Sequence, residues 1–363
     1  MTTRSWSKCG SSDDFFRIVP LLLLALNAQS TWANSIEFKG DIRPRYELIQ
    51  EEGKEDRERA RFRIRFGLTA NVNENVDVTI QLATGGDNPV STNQSFDDGF
   101  SNKDIGVHLA YADWSPKDNL HVYVGKMKNP LHRAGGHALI WDGDLNPEGI
   151  ALNYKSGAFF GTIGGFTVEE RSDADDSLLL ALQGGVSYEV GDNNELIGGI
   201  GYMDYSNTVG NKPFYNGKGQ GNSVDFDGKL INEYSQIEMF AEYKTRLGNY
   251  PFALFANYVE NTKVDDYATG YAVGAKIGKA GKPGTLEGSV AYQELEADAV
   301  IATFTDSDWR GGGTDATGFT IKGKYVLADS WNLGVSVFLN EIEKAAAMQR
   351  DYKRLQIDLE FKF

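Results

Sequence analysis

The fold is decided by the stretch Arg57-Glu58-Arg59-Ala60-Arg61-Phe62-Arg63-Ile64-Arg65-Phe66-Gly67-Leu68-Thr69-Ala70-Asn71-Val72. At a two-residue period, its odd positions are arginine or other polar or small residues, and its even positions from Ala60 onward are apolar. In a soluble sheet the apolar face would cover a core. In a membrane barrel that face would meet lipid, and the arginines would line a water-filled lumen.

The same alternation recurs along most of the chain. In the segment before the arginines, Ile36, Phe38 and Ile42 share one face, and Arg43 and Arg45 lie on the other. There are about sixteen such segments, each near the ten or so residues that a tilted strand needs to cross a bilayer. No apolar run approaches the length of a membrane helix. The pattern therefore predicts an all-β, transmembrane, antiparallel up-and-down barrel of about sixteen strands.

The connections between these segments differ in length in a regular way. Short turns alternate with long stretches, and the long ones are 85–103, 129–147, 208–230 and 297–313. Outer-membrane barrels have short periplasmic turns and long external loops, whereas a soluble sandwich has no reason to sort its loops in this way. The sorting favours the membrane barrel.

The N-terminal residues 1–33 have the pattern of a secretory signal peptide. An apolar run follows Arg17, and small residues precede a cleavage site after Ala33. The alternative is a buried helix of the mature fold. The only cysteine, Cys9, lies in this leader, so cleavage leaves a cysteine-free barrel over 34–363. It also leaves 33 basic and 49 acidic residues, and this net charge of −16 argues against a nucleic-acid partner.

The last segment, 355–363, alternates without interruption and ends on Phe363. Together with the leader, the alternation and the sorted loops, it gives residues 34–363 a resemblance to the outer-membrane porins of Gram-negative bacteria. That resemblance implies a channel for ions and small hydrophilic solutes, located in the outer membrane and surrounded by its lipid and lipopolysaccharide. It also implies recognition of Phe363 by the barrel-assembly machinery and a homotrimer.

The third external loop, about 129–147, resembles the loop that porins fold into the barrel. Its constriction residues are predicted to be Arg133, Asp142, Asp144 and Glu148. Across the gap, the strand pattern predicts a basic wall of pore-lining residues, namely Arg43, Arg45, Arg59, Arg61, Arg63 and Arg65. A hairpin turn centred between Gln50 and Asp56 places Arg43 opposite Arg63 and Arg45 opposite Arg61. Water, anions or loop carboxylates must then relieve the like charges.

Several alternatives remain open for these residues. The arginines also suit a wide solvated lumen, or binding of external lipopolysaccharide if the strand is shifted outward. Asp142-Gly143-Asp144 is compatible with an ordinary turn or with a calcium-binding loop. His132 and His137 lack a third metal ligand in the sequence, so no metal and no cofactor are predicted.

Three other classes of protein compete with a channel. One is an adhesin or receptor that acts through the long external loops. A second is an outer-membrane hydrolase, which needs a nucleophile or activated water beside histidine and carboxylate. No serine motif pairs with the four histidines, so the protein is not predicted to be an enzyme. The third is a soluble secreted β-protein.

Overall fold

The computed structural model describes residues 35–345 and 349–363 and consists of one closed antiparallel sheet. Sixteen long strands, β1 to β16 in chain order, form it within these residues. They are Ser35–Glu51, Arg57–Asn73, Val76–Thr84, Ile105–Lys117, Leu120–Lys126, Glu148–Ser156, Phe159–Glu169, Ser177–Val190, Asn194–Tyr205, Tyr234–Leu247, Tyr250–Asn261, Thr269–Gly278, Leu286–Leu295, Ala316–Ala328, Trp331–Ile342 and Arg350–Lys362. The two-residue strand Gln94–Ser95 pairs with β2.

Each strand pairs with its neighbours in sequence, and β1 closes the sheet by pairing with both β2 and β16. Closure satisfies the backbone hydrogen bonds of every strand and leaves no sheet edge, which is what a structure in lipid requires. No helix of residues 35–345 and 349–363 is long and apolar enough to cross a membrane. The predicted all-β barrel of about sixteen strands is confirmed.

The two faces of the strands differ as the alternation predicts. On β1 and β2 the even-numbered Ile42 and Phe66 are 40% and 45% exposed, whereas the odd-numbered Arg45 and Arg63 are 6% and 4% exposed. The apolar even positions therefore face lipid, and the arginines face the interior.

The connections are sorted by length between the two ends of the barrel. At one end they are short, although 279–285 is longer than the others. The eight connections at the other end, L1 to L8, are 52–56, 85–104, 127–147, 170–176, 206–233, 262–268, 296–315 and 343–349. L3 contains the short 3₁₀ helix Ala134–Gly136, and L7 contains Ala302–Phe304 and Trp309–Gly311. The predicted leader lies outside the described residues.

The inner wall has an apolar region made of flat aromatic rings. Phe240 and Phe255 point inward from β10 and β11, and each ring lies over a glycine directly opposite on the next strand. A Cβ added at Gly199 would lie 2.3 Å from the Phe240 ring, and one at Gly274 would lie 2.4 Å from the Phe255 ring. The glycines therefore let the rings lie against the wall, which leaves space for a loop above them.

The seam between β1 and β16 depends on a close contact at Gly40. Its N–H donates to the carbonyl oxygen of Phe363 over 2.9 Å, and its own carbonyl accepts from the N–H of Phe363 over 3.1 Å. A Cβ at Gly40 would lie 2.4 Å from the Phe363 ring and 2.7 Å from the carbonyl oxygen of Arg65. The last aromatic residue therefore packs on a position that only glycine fits without displacement.

We expect Gly40→Ala to weaken this seam by about 1–3 kcal/mol, because the added methyl group overlaps both a ring and the backbone. The folded form should then disappear at a lower temperature in unboiled SDS gels. Gly165→Ala is the matched control, since its Cβ meets nothing within 4 Å. Equal thermal resistance of the two variants would contradict the role assigned to Gly40.

Candidate functional site

The arginines of β1 and β2 form the predicted pairs on the inner face. Arg43 lies opposite Arg63 and Arg45 opposite Arg61, so the register prediction is confirmed. These pairs place like charges side by side, which destabilises a sheet unless carboxylates intervene. The carboxylates come from residues that the sequence analysis did not select as site residues.

Three carboxylates on the strands flanking the seam pair with three of the six arginines of the wall. Asp358 accepts two hydrogen bonds from Arg45, over 2.6 and 2.8 Å. Asp41 accepts from Arg63 over 2.6 Å and from Arg65 over 2.7 Å, and Glu360 lies 3.3 Å from Arg63. Two parallel bonds between one guanidinium and one carboxylate are strong and fix the orientation of both groups.

Glu47 holds the upper part of the wall together. It has no exposed surface, and it accepts hydrogen bonds from Arg354 over 2.6 Å and from Gln356 over 3.0 Å on β16. On β2 it contacts Arg59, and Arg61 lies 3.5 Å away. Removal of a carboxylate in such a site leaves several buried guanidinium groups without a counter-charge.

Arg43 differs from the other arginines of the wall. Its Nη2 donates to the amide oxygen of Asn93 over 2.7 Å, and the nearest carboxylate, Asp358, is 3.8 Å away. Its Nε is buried without an acceptor. Arg43 therefore keeps more of its positive field than its neighbours do.

L3 crosses the interior and docks on the opposite wall. His132 Nε2 lies 2.6 Å from Glu242 on β10, and His137 Nε2 donates to Gln293 on β13 over 2.7 Å. Gly135 lies on the Phe255 ring, and its φ of +60° is one that glycine adopts without strain. Burial lowers the pKa of His137 to about 4, so this side chain is neutral at physiological pH.

The predicted constriction residues of L3 fall into different surroundings. Asp142 and Asp144 line the same cavity as Arg43, and Asp144 lies 3.9 Å from Arg65. Arg133 also lines this cavity, whereas Glu148 pairs with Lys126 over 2.7 Å and lines a separate cavity nearer the loops.

Asp142 faces another loop rather than an arginine. It accepts hydrogen bonds from the backbone N–H groups of Asp144 over 2.7 Å and Ser307 over 2.8 Å. Burial, and then the nearby Asp306 and Asp144, raise the pKa of Asp142 well above its usual range. Its negative charge is therefore weakened.

L7 is a second loop inside the barrel, which the sequence analysis did not predict. Its Asp308 lies 3.2 Å from Arg45 and 2.8 Å from Arg354, and these two guanidinium groups hold the pKa of Asp308 well below its usual range. Trp309 of the same loop is buried. The signal for this loop was the apolar run Ala299-Val300-Ile301, which is out of place in a solvated external loop.

L3, L7 and the arginine wall enclose a cavity of about 420 Å³, here named the inner chamber. Seven basic side chains line it, namely Arg43, Arg45, Arg63, Arg133, Lys276, Lys322 and Lys324. Seven acidic side chains also line it, namely Asp142, Asp144, Glu287, Asp306, Asp308, Asp358 and Glu360. Among the described residues, no group of three or more His, Cys, Asp or Glu side chains is placed to hold a metal ion.

Comparison with solved structures identifies the fold class. OprB of Pseudomonas putida, in a high-pH structure, has a TM-score of 0.59 and 12% identity, with 96% of this chain and 97% of that chain covered. A triple mutant of the porin of Rhodopseudomonas blastica has a TM-score of 0.51 and 14% identity, over 91% of this chain and 100% of that chain. OmpT, an outer membrane protein of Vibrio cholerae, in a form that lacks its loop L8, has a TM-score of 0.51 and 13% identity, over 91% of this chain and 99% of that chain.

The closed sixteen-stranded barrel is thus a porin fold. A family model described as "Putative porin" matches residues 47–236 and 223–363, and the chain belongs to that family. A comparison with curated proteins finds no match. The protein is an outer-membrane channel for the diffusion of small solutes.

We expect Gly135→Ala to undock the tip of L3, because the added Cβ would lie 2.3 Å from Cδ1 of Phe255. In planar bilayers this variant should show a larger and noisier single-channel conductance. Gly136→Ala is the matched control, since its φ of +64° is similar and its Cβ meets nothing within 4 Å. If both variants conduct like the wild type, the docking of Gly135 on Phe255 does not set the channel width.

Proposed function

We propose that L3, L7 and the basic wall form the constriction of this channel, and that the constriction favours small anions. One observation supports this proposal most strongly. Four cationic side chains of the inner chamber donate no hydrogen bond to a carboxylate anywhere in the described part of the chain, namely Arg43, Arg133, Lys276 and Lys322. Charges at a narrow aqueous passage act on permeating ions through their local field.

The acidic side chains of the chamber offset this charge only in part. Asp308, Asp358 and Glu360 are occupied by Arg45, Arg354, Arg63 or Lys324. Asp142, Asp306 and Glu287 have no cationic partner within 4 Å among residues 35–345 and 349–363, and the pKa of Asp142 is raised by burial. Asp144 lies 3.9 Å from Arg65, and the charge of Asp142 is weakened, so Asp306 and Glu287 remain against the four free cations. The balance of unpaired charge in the constriction is therefore positive, although the whole chain carries −15.

Passage through this site requires no catalytic step. A hydrolase would need a nucleophile or activated water beside a histidine and a carboxylate. The two histidines of L3 have a different use, because His132 and His137 hydrogen-bond to Glu242 and Gln293 and hold the loop in the barrel. These contacts support a channel over the hydrolase. The adhesin alternative is less favoured because two of the long loops turn inward.

The path of the chain to the membrane is also part of this proposal. We propose that residues 1–33 are removed near Ala33 during export, and that the barrel-assembly machinery recognises the segment ending at Phe363. The position of Phe363 at the seam supports the second step, since its backbone pairs with Gly40 where the barrel closes. Outer-membrane lipid and lipopolysaccharide would surround the apolar outer face.

We further propose a homotrimer that uses the outer face of β6 to β10. Glycines on this face leave a shallow apolar groove, lined by Leu152, Tyr154, Gly161, Ile163, Leu182, Gly184, Ile200, Tyr202 and Ile237. Small residues let neighbouring membrane segments approach closely. OmpT of Vibrio cholerae, at 12% identity and a TM-score of 0.50, is described in a trimer form.

We expect the purified protein in detergent to have the mass of three copies by light scattering. Gly184→Leu should shift that mass toward one copy, because the larger side chain fills the groove. Gly288→Leu, on the outer face of β13 away from the groove, is the control. A wild-type mass of one copy would rule out the trimer, and an unchanged mass of Gly184→Leu would remove this face from the interface.

Planar-bilayer recording tests the channel and its preference separately. Absence of stepwise conductance would contradict the channel itself. We expect Arg43→Gln and Lys322→Gln each to lower the anion-to-cation permeability ratio roughly two- to fivefold in a salt gradient, as expected for loss of one charge close to the ion path. Lys279→Gln, in the short turn 279–285, removes a charge far from the chamber and should leave the reversal potential unchanged. Equal reversal potentials for all three variants would place the selectivity elsewhere.

A further inference from the structure

A second cavity lies on the loop side of the arginine wall. L7 separates it from the inner chamber, because Arg354 Nη1 donates to the carbonyl oxygen of Ser307 over 3.1 Å and Arg354 Nη2 lies 2.8 Å from Asp308. This outer chamber has a volume of about 490 Å³, and the first hairpin, L2, L7 and β16 line it. Its size suits a small solute.

The lining of the outer chamber is strongly basic. Six cationic side chains line it, namely Lys54, Arg57, Arg59, Arg61, Arg310 and Arg354, against the two acidic side chains Glu51 and Glu55. Glu47 contacts Arg59, Arg61 and Arg354 from behind, and Glu51 pairs with Lys54 over 2.8 Å. Arg57 and Arg310 have no carboxylate within 4 Å in the described residues, so at least two full positive charges remain.

Three of these arginines also have unmet donors. The Nε atoms of Arg61, Arg310 and Arg354 are buried without a hydrogen-bond acceptor, and the Arg354 side chain is only 3% exposed. Donors that have lost water and gained no acceptor leave part of the positive field of their guanidinium groups uncompensated. An anion in the chamber would lower the free-energy cost of these buried, unpaired donors through its negative charge, without contacting every Nε atom.

Arg310 is held toward the chamber by an unusual backbone. Its φ of +50° lies in the left-handed region, which a side chain with a Cβ rarely adopts. Its N–H donates to Asn340 over 3.2 Å, and its Nη1 donates to the carbonyl oxygen of Gln220 over 2.8 Å. Strain of this kind persists where the surrounding structure imposes it, and it is concentrated at functional positions.

We infer that the outer chamber binds the doubly charged phosphate group of a small solute before it enters the constriction. Guanidinium groups match the geometry of phosphate oxygens, and a phosphate monoester carries close to two negative charges at neutral pH. The two uncompensated arginines, Arg57 and Arg310, match this charge. A free solute is the favoured source, because every residue of β1 and β2 that lines the chamber is at an odd-numbered position, whereas the lipid-facing positions are the even-numbered ones.

This inference deepens the proposed function and rests on it for the passage of the bound solute, but binding can be tested without conduction. Inorganic phosphate and a hexose phosphate would be titrated calorimetrically into protein purified in lipid-free detergent. Both should bind, and acetate should bind at least tenfold more weakly, because it carries one charge.

Substitutions test whether phosphate binds in the outer chamber or responds to any basic side chain of the barrel. Arg57→Gln and Arg310→Gln should each weaken phosphate binding about tenfold, the size expected for loss of one charge-assisted hydrogen-bonded contact. Arg310→Lys should recover part of the lost phosphate affinity, since lysine keeps the positive charge and lacks only the planar set of guanidinium donors. Arg246→Gln, at the end with the short turns, should bind like the wild type. Wild-type protein without phosphate binding, or Arg57→Gln and Arg310→Gln binding like Arg246→Gln, would overturn the inference.

Two further measurements distinguish a free phosphorylated solute from a lipid headgroup, and phosphate binding from channel activity. Titration with lipid A micelles tests the lipid source, and Arg57-dependent binding of lipid A alone, with none of free phosphate, would overturn the inference. Phosphate added on the loop side should reduce the chloride current, and phosphate on the other side should not. If the protein binds phosphate but does not conduct, the phosphate inference holds and the channel proposal is rejected. If it conducts anions selectively but does not bind phosphate, the channel proposal holds and the phosphate inference is rejected.

Discussion

The buried carboxylate of Glu47 is the interaction on which the charged half of the barrel depends. It has no exposed surface, and it joins arginines of β2 and β16 to β1, the strand on which it lies. It therefore crosses the seam where the sheet closes. Through Arg354 the same network reaches Asp308, so L7 is fixed to the wall by the charges that also hold the strands together. Closure of the barrel and the position of L7 are thus linked.

The other half of the interior works by a different principle. There an apolar patch of flat rings, such as Phe240 and Phe255, lies over glycines among buried polar side chains and carries the tip of L3. A loop packed on such rings gains from buried area, and the hydrogen bonds of His132 and His137 to the surrounding polar side chains fix its position. In the proposed constriction, a solute would pass between L3, which rests on this patch, and the charged wall. Of the four cations assigned to the ion path, only Lys276 contacts L3 from a strand, by donating to the carbonyl oxygen of Gly135 over 3.3 Å.

The sequence predicts this barrel well wherever the information is local. Alternation sets which residues face inward, and the length of the first hairpin places Arg43 opposite Arg63. The partners of the arginines are not local. Asp358 and Glu360 stand more than three hundred residues along the chain from β1, and they meet the wall only because β16 closes against it. Asp308 reaches the same wall from a loop, and the periodicity of strands says nothing about the direction in which a loop folds.

Under the two proposals, the distribution of charge along the interior gives the arginine strand two functions instead of one. Ser307 and Asp308 of L7 contact the wall between its upper and lower arginines, so that Arg59 and Arg61 face one chamber and Arg43 and Arg63 the other. A continuous ladder of unpaired positive charges would hold an anion tightly at each step and slow its exit. Asp308 instead places a carboxylate between two basic chambers and weakens the field at the boundary. An anion would then pass between two sites of moderate affinity, which is the condition under which binding and rapid release are compatible.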